Sequence, residues 1–557
     1  MFALFSRRLR TITHATLGCV LVAALLCAQP SPVRAAGTVG DGTPASCTSQ
    51  KLADAITAGS GDITFACGAA PVTIVIMQPG GLVIPNGVNI TMNGNHQIEL
   101  SGGLAWRVFV VNGGGSLTLK NLSIVKGYNP SDDGGAIRNN GTLNIDGCTF
   151  TGNLTADPYS GGAIVSYGPL NISSSEFSHN QAGNGGAVYL RFAAAVTVIT
   201  GTTFDYNTTT NGTNGFGGAM LLWDGAPVTL VQDIFHDNIG ILGGAVFVQG
   251  SSSLTISATQ FYSNLGQVTP SQGGAIFSQG KLSVTDSKFE ANHADDGGAI
   301  IMASGTTNLL RSSFTQNWAN YGGAYEQNGG VLLATDSWFN GNGYDLNGNP
   351  VTLIGGAIGI FNGSATLNNL TMSGNWARTG GAFYQGATST LQNVTISGNH
   401  ATYGGGIYQL NGSDMTLTNV TLYQNSATNG AGGIEWAGGT LTVRNTIVAN
   451  NTTGGNCNAP FTSFAFSLSS DGSCGFGIGR DNVIIQLMGL YNTGGFAPTH
   501  LPYAGSPAVD NATLLYCPTT DQRGVPRPKG AGCDVGAVER IPGGELVPVA
   551  FLPIVRR

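Results

Sequence analysis

Along most of the chain, apolar and polar residues alternate in short runs, as in Leu117-Thr118-Leu119 and Met415-Thr416-Leu417, and the runs end at glycine or asparagine. A period of two punctuated in this way predicts half-buried β-strands joined by turns. A longer repeat is superimposed on it. Gly-Gly-Ala-apolar begins at Gly134, Gly161, Gly185, Gly217, Gly243, Gly273, Gly297, Gly322, Gly355 and Gly380, with weaker copies at Gly404 and Gly432, spaced 24 to 33 residues apart. Between these copies runs aromatic-x-x-Asn: Phe150/Asn153, Phe177/Asn180, Phe204/Asn207, Phe235/Asn238, Phe261/Asn264, Phe289/Asn292, Phe314/Asn317 and Phe339/Asn342. Later copies carry an aliphatic residue instead, at Met372/Asn375, Ile396/Asn399, Leu422/Asn425 and Ile447/Asn450.

A unit of this length, with several strands and no helix, predicts one coil of an all-β, right-handed parallel β-helix. Stacking places equivalent residues about 4.8 Å apart. The phenylalanines then form an internal column, and the asparagines an amide ladder that also takes up left-handed turns. Gly-Gly supplies backbone freedom at the preceding corner.

The organisation expected is a signal peptide over 1–35, an N-terminal cap over 36–70, repeats over 71–455, a C-terminal cap over 456–540 and an apolar, basic-ended tail over 541–557. The leader reading rests on Arg7, Arg8 and Arg10, an apolar run from Leu17 to Cys27, and Val33-Arg34-Ala35. That run is too short to span a bilayer, so no transmembrane segment is expected in the mature chain. The tail, with Pro548 and Pro553 inside its apolar stretch, is read as a sorting or docking element.

Glycine supplies 86 residues and charged residues only 9%, a composition suited to stacked strands. Without residues 1–35 the chain keeps 18 basic against 29 acidic residues, a net charge of −11 that makes nucleic acid an improbable partner. Six cysteines fall into close pairs, Cys47/Cys67, Cys457/Cys474 and Cys517/Cys533, which export would favour as disulfides, although spacing alone does not fix connectivity. Cys148, inside a repeat, reads as a buried thiol. No cysteine pair has zinc-ligand spacing, and neither a metal nor a cofactor is expected.

Candidate chemistry is sparse. Glu326 and Glu435 share a motif position four coils apart, and Asp133 and Asp296 share another six coils apart, too far for a glycosidase pair. Asp132, Asp133 and Arg138 form the best remaining cluster for lyase chemistry, weighed against a solvated turn. Asp345-Leu346-Asn347-Gly348-Asn349 reads as a loop insertion, since a calcium loop would need Gly where Pro350 stands. The more promising feature is a row two positions after the motif Ala: Tyr189, Leu221, Phe247, Phe277, Tyr384 and Tyr408. Strand alternation points these outward, either as a stripe that stacks on sugar rings or on a partner's side chains, or as rings that the long loops at the wider spacings fold over and bury. A second row, including Trp318 and Trp376 with His293 and His400, follows the motif Asn.

The paired GGAI and FxxN motifs over about 134–450 resemble the repeats of the polymorphic outer membrane protein family, which implies a β-helical passenger and surface display. No amphipathic membrane strands follow the repeats here, so the resemblance does not extend to an autotransporter barrel. The head TPASCTSQKLADAI and the tail AGSPAVDNA…DQRGVPRPKGAGCDVGAVE look like those of exported bacterial β-helix proteins. In that tail Asp510, Asp521, Arg523, Arg527, Asp534 and Glu539 match a signature found before anchoring segments. Three functions remain open: a secreted or cell-surface adhesin that binds a polysaccharide or cell-surface glycan, a polysaccharide lyase or hydrolase, and an inert envelope spacer. Convergent acids and a base on neighbouring coils would mark the enzyme, an aromatic or polar stripe the adhesin, and neither the spacer.

Overall fold

The computed structural model describes residues 35–191, 196–212 and 215–543; the leader and most of the tail lie outside them. Three long sheets, every ladder of which is parallel, wind into a β-solenoid of about 16 turns. A typical turn runs Ile137–Asn139, Thr142–Asp146, Thr149–Thr151, then crosses a corner to Ile164–Ser166, which pairs with Ile137–Asn139 in register. The sheets that these segments enter are here called III, I and II. Sheet I already contains Ala35–Val39 and Gly61–Phe65, so stacking starts within the 36–70 segment. The helix Ser49–Thr57, whose Thr48 hydroxyl accepts from Lys51 N, packs beside that first coil. A disulfide joins Cys47 to Cys67 there.

Each motif position has one structural task. The eight phenylalanines from Phe150 to Phe339 are fully buried, with consecutive rings stacked 4.5 to 5.1 Å apart. The ladder asparagines are buried too. Asn180 Nδ2 donates to Phe150 O and to Asn207 Oδ1, and Asn207 Oδ1 also accepts from Asn180 N; the pattern repeats from coil to coil. The left-handed conformation expected at these asparagines belongs to the residue before each, for example His179, Tyr206 and Asp237. The reason is geometric: a side chain turned into the solenoid needs ordinary backbone, and the reversal is taken by the exposed neighbour.

One copy is shifted by a residue. Leu422 pairs with Val448, not Ile447, and Asn451 carries the ladder on while Asn450 takes the left-handed position. Both Asn450 and Asn451 satisfy a loose spacing rule, and only register decides between them. The Gly-Gly pair divides its duties likewise. Gly273 adopts φ +69°, whereas a Cβ on Gly274 would collide with backbone atoms of Gly298 and His293 in the next coil.

Around and after the last coil strands, Phe464–Ala465 and Leu468–Ser469, the chain does two things. Phe461 and Phe476, beside the Cys457–Cys474 disulfide, close the end of the core. Residues 485–540 turn back along the outside of sheet II. Thr371 Oγ1 donates to Pro498 O at 2.7 Å, Thr395 Oγ1 to Gln522 Oε1 at 2.6 Å, and Gly536 N to Asn445 O at 2.8 Å. Outward-facing Thr371, Thr395 and Thr421 are buried as a result. This flap is fixed internally by the Cys517–Cys533 disulfide and by buried ion pairs, Arg523 with Asp521 at 2.7 Å and Arg527 with Glu539 at 3.1 Å. Of the charged signature of the tail, Asp521, Arg523, Arg527, Asp534 and Glu539 are therefore the polar core of the flap, whereas Asp510 is exposed. Cys148 is a buried free thiol.

Candidate functional site

The aromatic row expected to face water does point out of the solenoid, but most of it is covered. Tyr189 is only 7% exposed and Phe247 only 3%, and Leu221, Phe277 and Tyr384 are also buried. Tyr189, Leu221, Phe247 and Phe277 form a second small core with Val165 and Ile301, roofed by Tyr167, Phe216, Trp223 and Leu242. Phe216 packs on Phe247 with ring centroids 4.7 Å apart. Strand alternation fixes only which side of the sheet a residue occupies; the corner loops between sheets II and III decide whether water reaches it.

Trp318 and Trp376, in the row after the ladder asparagines, are half-buried. Trp318 stacks on His293 with centroids 3.1 Å apart, and His293 Nδ1 lies 3.1 Å from Trp318 O. Trp376 pairs with His400, whose Nδ1 lies 2.7 Å from Ser426 Oγ. The acidic cluster near the first repeats is closed by ion pairing. Arg107 and Arg138 both bind Asp132, and Asp133 accepts from Ser160 N at 2.7 Å and Tyr167 Oη at 3.2 Å. Burial pushes the Asp132 carboxyl up, yet the hydrogen bond and charge of Arg138 and the charge of Arg107 outweigh it and hold it below the usual range. Such a carboxylate makes a poor proton acceptor. Asp345 closes its own turn, with Oδ1 accepting from Asn347 N and Asn349 N.

Past Ile301 the covered row is interrupted by Glu326 and Gly359, and the surface opens. A groove of about 550 Å³ is lined by Tyr321, Leu353, Ile354, Arg378, Thr379, Tyr403, Tyr408 and Glu435. Its floor and walls come from two columns. Tyr321, Ile354, Thr379 and Tyr403 each precede a Gly-Gly, and Tyr408 and Glu435 lie on sheet III two positions after the residue that stands in for the motif Ala, paired with each other. Three coils separate Tyr321 from Tyr403, about 14 Å at the strand spacing. One wall is the insertion between Asn342 and Gly355; beyond it the next two crossings are only four residues long and leave the rings uncovered.

Tyr321 is 37% and Tyr403 38% exposed, and Tyr408 is half-buried on Tyr384, the rings parallel with centroids 5.7 Å apart. Phe361 fills the gap above Gly359 and touches both Tyr321 and Tyr384. Arg378 is exposed and makes no ion pair among the described residues. Glu435 is oriented by Ala431 N, which donates to Oε2 at 2.6 Å, and by Asn458 Nδ2, which donates to Oε1 at 3.2 Å. The groove thus offers apolar ring faces, phenolic hydroxyls, one cation and one fixed acceptor. Of the expected binding residues it brings together Tyr408 directly and Tyr384 from beneath; Tyr189, Phe247, Phe277, Trp318 and Trp376 do not line it. Tyr321 and Tyr403 were legible, since they share the pre-Gly-Gly position with Asp133 and Asp296. Arg378 carries no column signal.

Residues 174–191, from Ser174 to Arg191, match the Chlamydia polymorphic membrane protein repeat. No curated protein and no solved structure matches the chain. No helix among the described residues is long and apolar enough to cross a membrane.

Proposed function

We propose that this chain is a surface-displayed or secreted binding protein of the adhesin type, and that it recognises a polysaccharide or cell-surface glycan in the groove bounded by Tyr321, Tyr403 and Tyr408. The observation that carries this reading is the coincidence of exposed tyrosine rings with an exposed arginine, without an ion pair among the described residues, and an oriented carboxylate on hydrogen-bonded coils. Ring faces stack on the apolar faces of sugars, and convergent polar groups read hydroxyl or acidic substituents. Rigid stacking lowers the ordering cost of binding. The matched repeat supports surface display. A lyase or hydrolase would draw on the same groove, but glycosidase chemistry calls for a second carboxyl 5 to 9.5 Å from the first, and Glu435 is the one acid lining this groove.

The test is a glycan array paired with reducing-sugar and unsaturated-product assays, run on the parent and on Tyr403→Ala/Tyr408→Ala. The parent should retain a defined set of glycans without cleaving them, and the double variant should lose at least tenfold in affinity, about 1.4 kcal/mol, with melting temperature nearly unchanged. Product release would move the reading to an enzyme. Glycan binding that is absent, or unaffected by the double substitution, would remove the groove as a recognition site and leave the spacer.

A further inference from the structure

On the outside of sheet II, far from the tyrosine groove, three potential metal ligands converge. Asp205 and His236 occupy equivalent positions on adjacent coils, each directly following a stacked core phenylalanine, and their strands pair in register. Asp237 follows in the left-handed corner position, φ +53°, which turns its side chain toward the same spot. His236 Nδ1 lies 2.9 Å from Asp205 Oδ1 and 3.0 Å from Asp237 Oδ2, and the three ligand atoms all lie within 4.8 Å of one another.

From these positions we infer that Asp205, His236 and Asp237 form a binding site for a divalent cation of the zinc class. One ring nitrogen faces two carboxylate oxygens, yet an N–H makes one well-aligned hydrogen bond. Asp205 Oδ1 accordingly has no hydrogen-bond partner of good geometry although it is shielded from solvent. A cation replaces that single proton with a centre that satisfies all three atoms at once. At the usual Zn–N and Zn–O lengths of about 2.0 to 2.2 Å, tetrahedral ligands stand roughly 3.4 Å apart. The two separations from His236 Nδ1 would open by only a few tenths of an ångström, and the two carboxylate oxygens lie within 4.8 Å of each other.

The backbone is already fixed on both sides. Phe204 and Phe235 stack 4.6 Å apart beneath the site, and Asn207 and Asn238 continue the amide ladder beside it. The His236 ring lies parallel to Tyr262 with centroids 4.8 Å apart, which holds its plane. An imidazole with two carboxylates favours zinc, cobalt, nickel or manganese over calcium and magnesium, which prefer all-oxygen shells. Three protein ligands leave a position for water or for an oxygen of an external molecule. Cysteine spacing carries no sign of such a site, because Asp205 stands 31 residues before His236 and is joined to it only by coil stacking.

The experiment uses tag-free protein titrated calorimetrically with Zn²⁺ and, separately, Ca²⁺, with the visible absorption of added Co²⁺ as a second readout. Zn²⁺ should bind at one saturable site and raise the melting temperature, Co²⁺ should give a tetrahedral spectrum, and Ca²⁺ should do neither. Asp237→Asn and His236→Ala should each weaken Zn²⁺ at least tenfold while the metal-free melting temperature stays near the parent's, and His400→Ala should change nothing. No saturable Zn²⁺ binding below about 1 mM, a free energy of about −4 kcal/mol, would overturn the assignment. Equal binding by His236→Ala and Asp237→Asn would overturn it as well.

Discussion

Asn264→Ala is expected to destabilise the solenoid by on the order of 4 kcal/mol, more than truncation of almost any surface residue. Asn264 Oδ1 accepts from Asn238 N at 3.2 Å and Asn238 Nδ2 at 3.0 Å, while its own Nδ2 donates to Phe235 O at 2.9 Å and Asn292 Oδ1 at 3.0 Å. All of these atoms belong to residues closed to water. Removing the amide strands two donors of Asn238, and each unsatisfied buried group costs about 1 to 3 kcal/mol. Because every repeat contacts mainly its neighbours, the damage should appear as early exchange of amides in the coils on either side, ahead of global melting. Urea denaturation with hydrogen exchange measures both. An unchanged urea midpoint would show that the ladder is ornament to a structure held by its phenylalanines.

The second large effect is a pH dependence centred on Glu326. This side chain is 3% exposed, between Ile301 and Gly359 on sheet III, with Asn328 Nδ2 donating to Oε1 at 2.8 Å and no partner at Oε2. Burial, aided by the charge of Asp296 on the preceding coil, pushes its carboxyl from 4.5 up to about 8. A carboxyl whose folded value is raised is held protonated by folding. Its stabilising effect is complete below pH 4.5 and is lost as pH rises through 8. At about 1.4 kcal/mol per pH unit the loss is on the order of 5 kcal/mol.

Buried Asp233, pushed up by burial to about 7, adds a smaller decline of the same sign. Glu326→Gln keeps the shape and removes the ionisation. Melting temperature measured from pH 5 to 8.5 should therefore fall less steeply in the variant, which should be the more stable protein at pH 8.5. Superimposable profiles would mean that Glu326 reaches water in solution.

The repeat period, the Phe column, the Asn ladder and the three cysteine pairs were readable in the sequence because each depends on local chemistry repeated at fixed intervals: an apolar residue that must enter a core, an amide that must satisfy itself, a thiol near its partner. Stacking then magnifies the signal, since a residue type useful in one coil is useful in the next. Even the slip at Ile447 was confined to one copy, where two adjacent asparagines offered equal spacing and only pairing of Leu422 with Val448 chose between them.

What the sequence could not determine was which outward residues meet water. Tyr189 and Tyr403 are both tyrosines on outer columns, yet Phe216 and Leu242 roof the row containing the first, while short crossings leave the second open. Likewise the charged residues between Asp510 and Glu539 resemble a signature found before anchoring segments, and nothing in their spacing tells that Arg527 and Glu539 are enclosed against each other in a flap. The chain by itself thus determined the coil, because coil formation follows from periodic local demands. The groove, the flap and the Asp205–His236–Asp237 cluster were decided only in three dimensions. Loop length, coil-to-coil register and lateral packing bring together residues that no interval in the sequence relates.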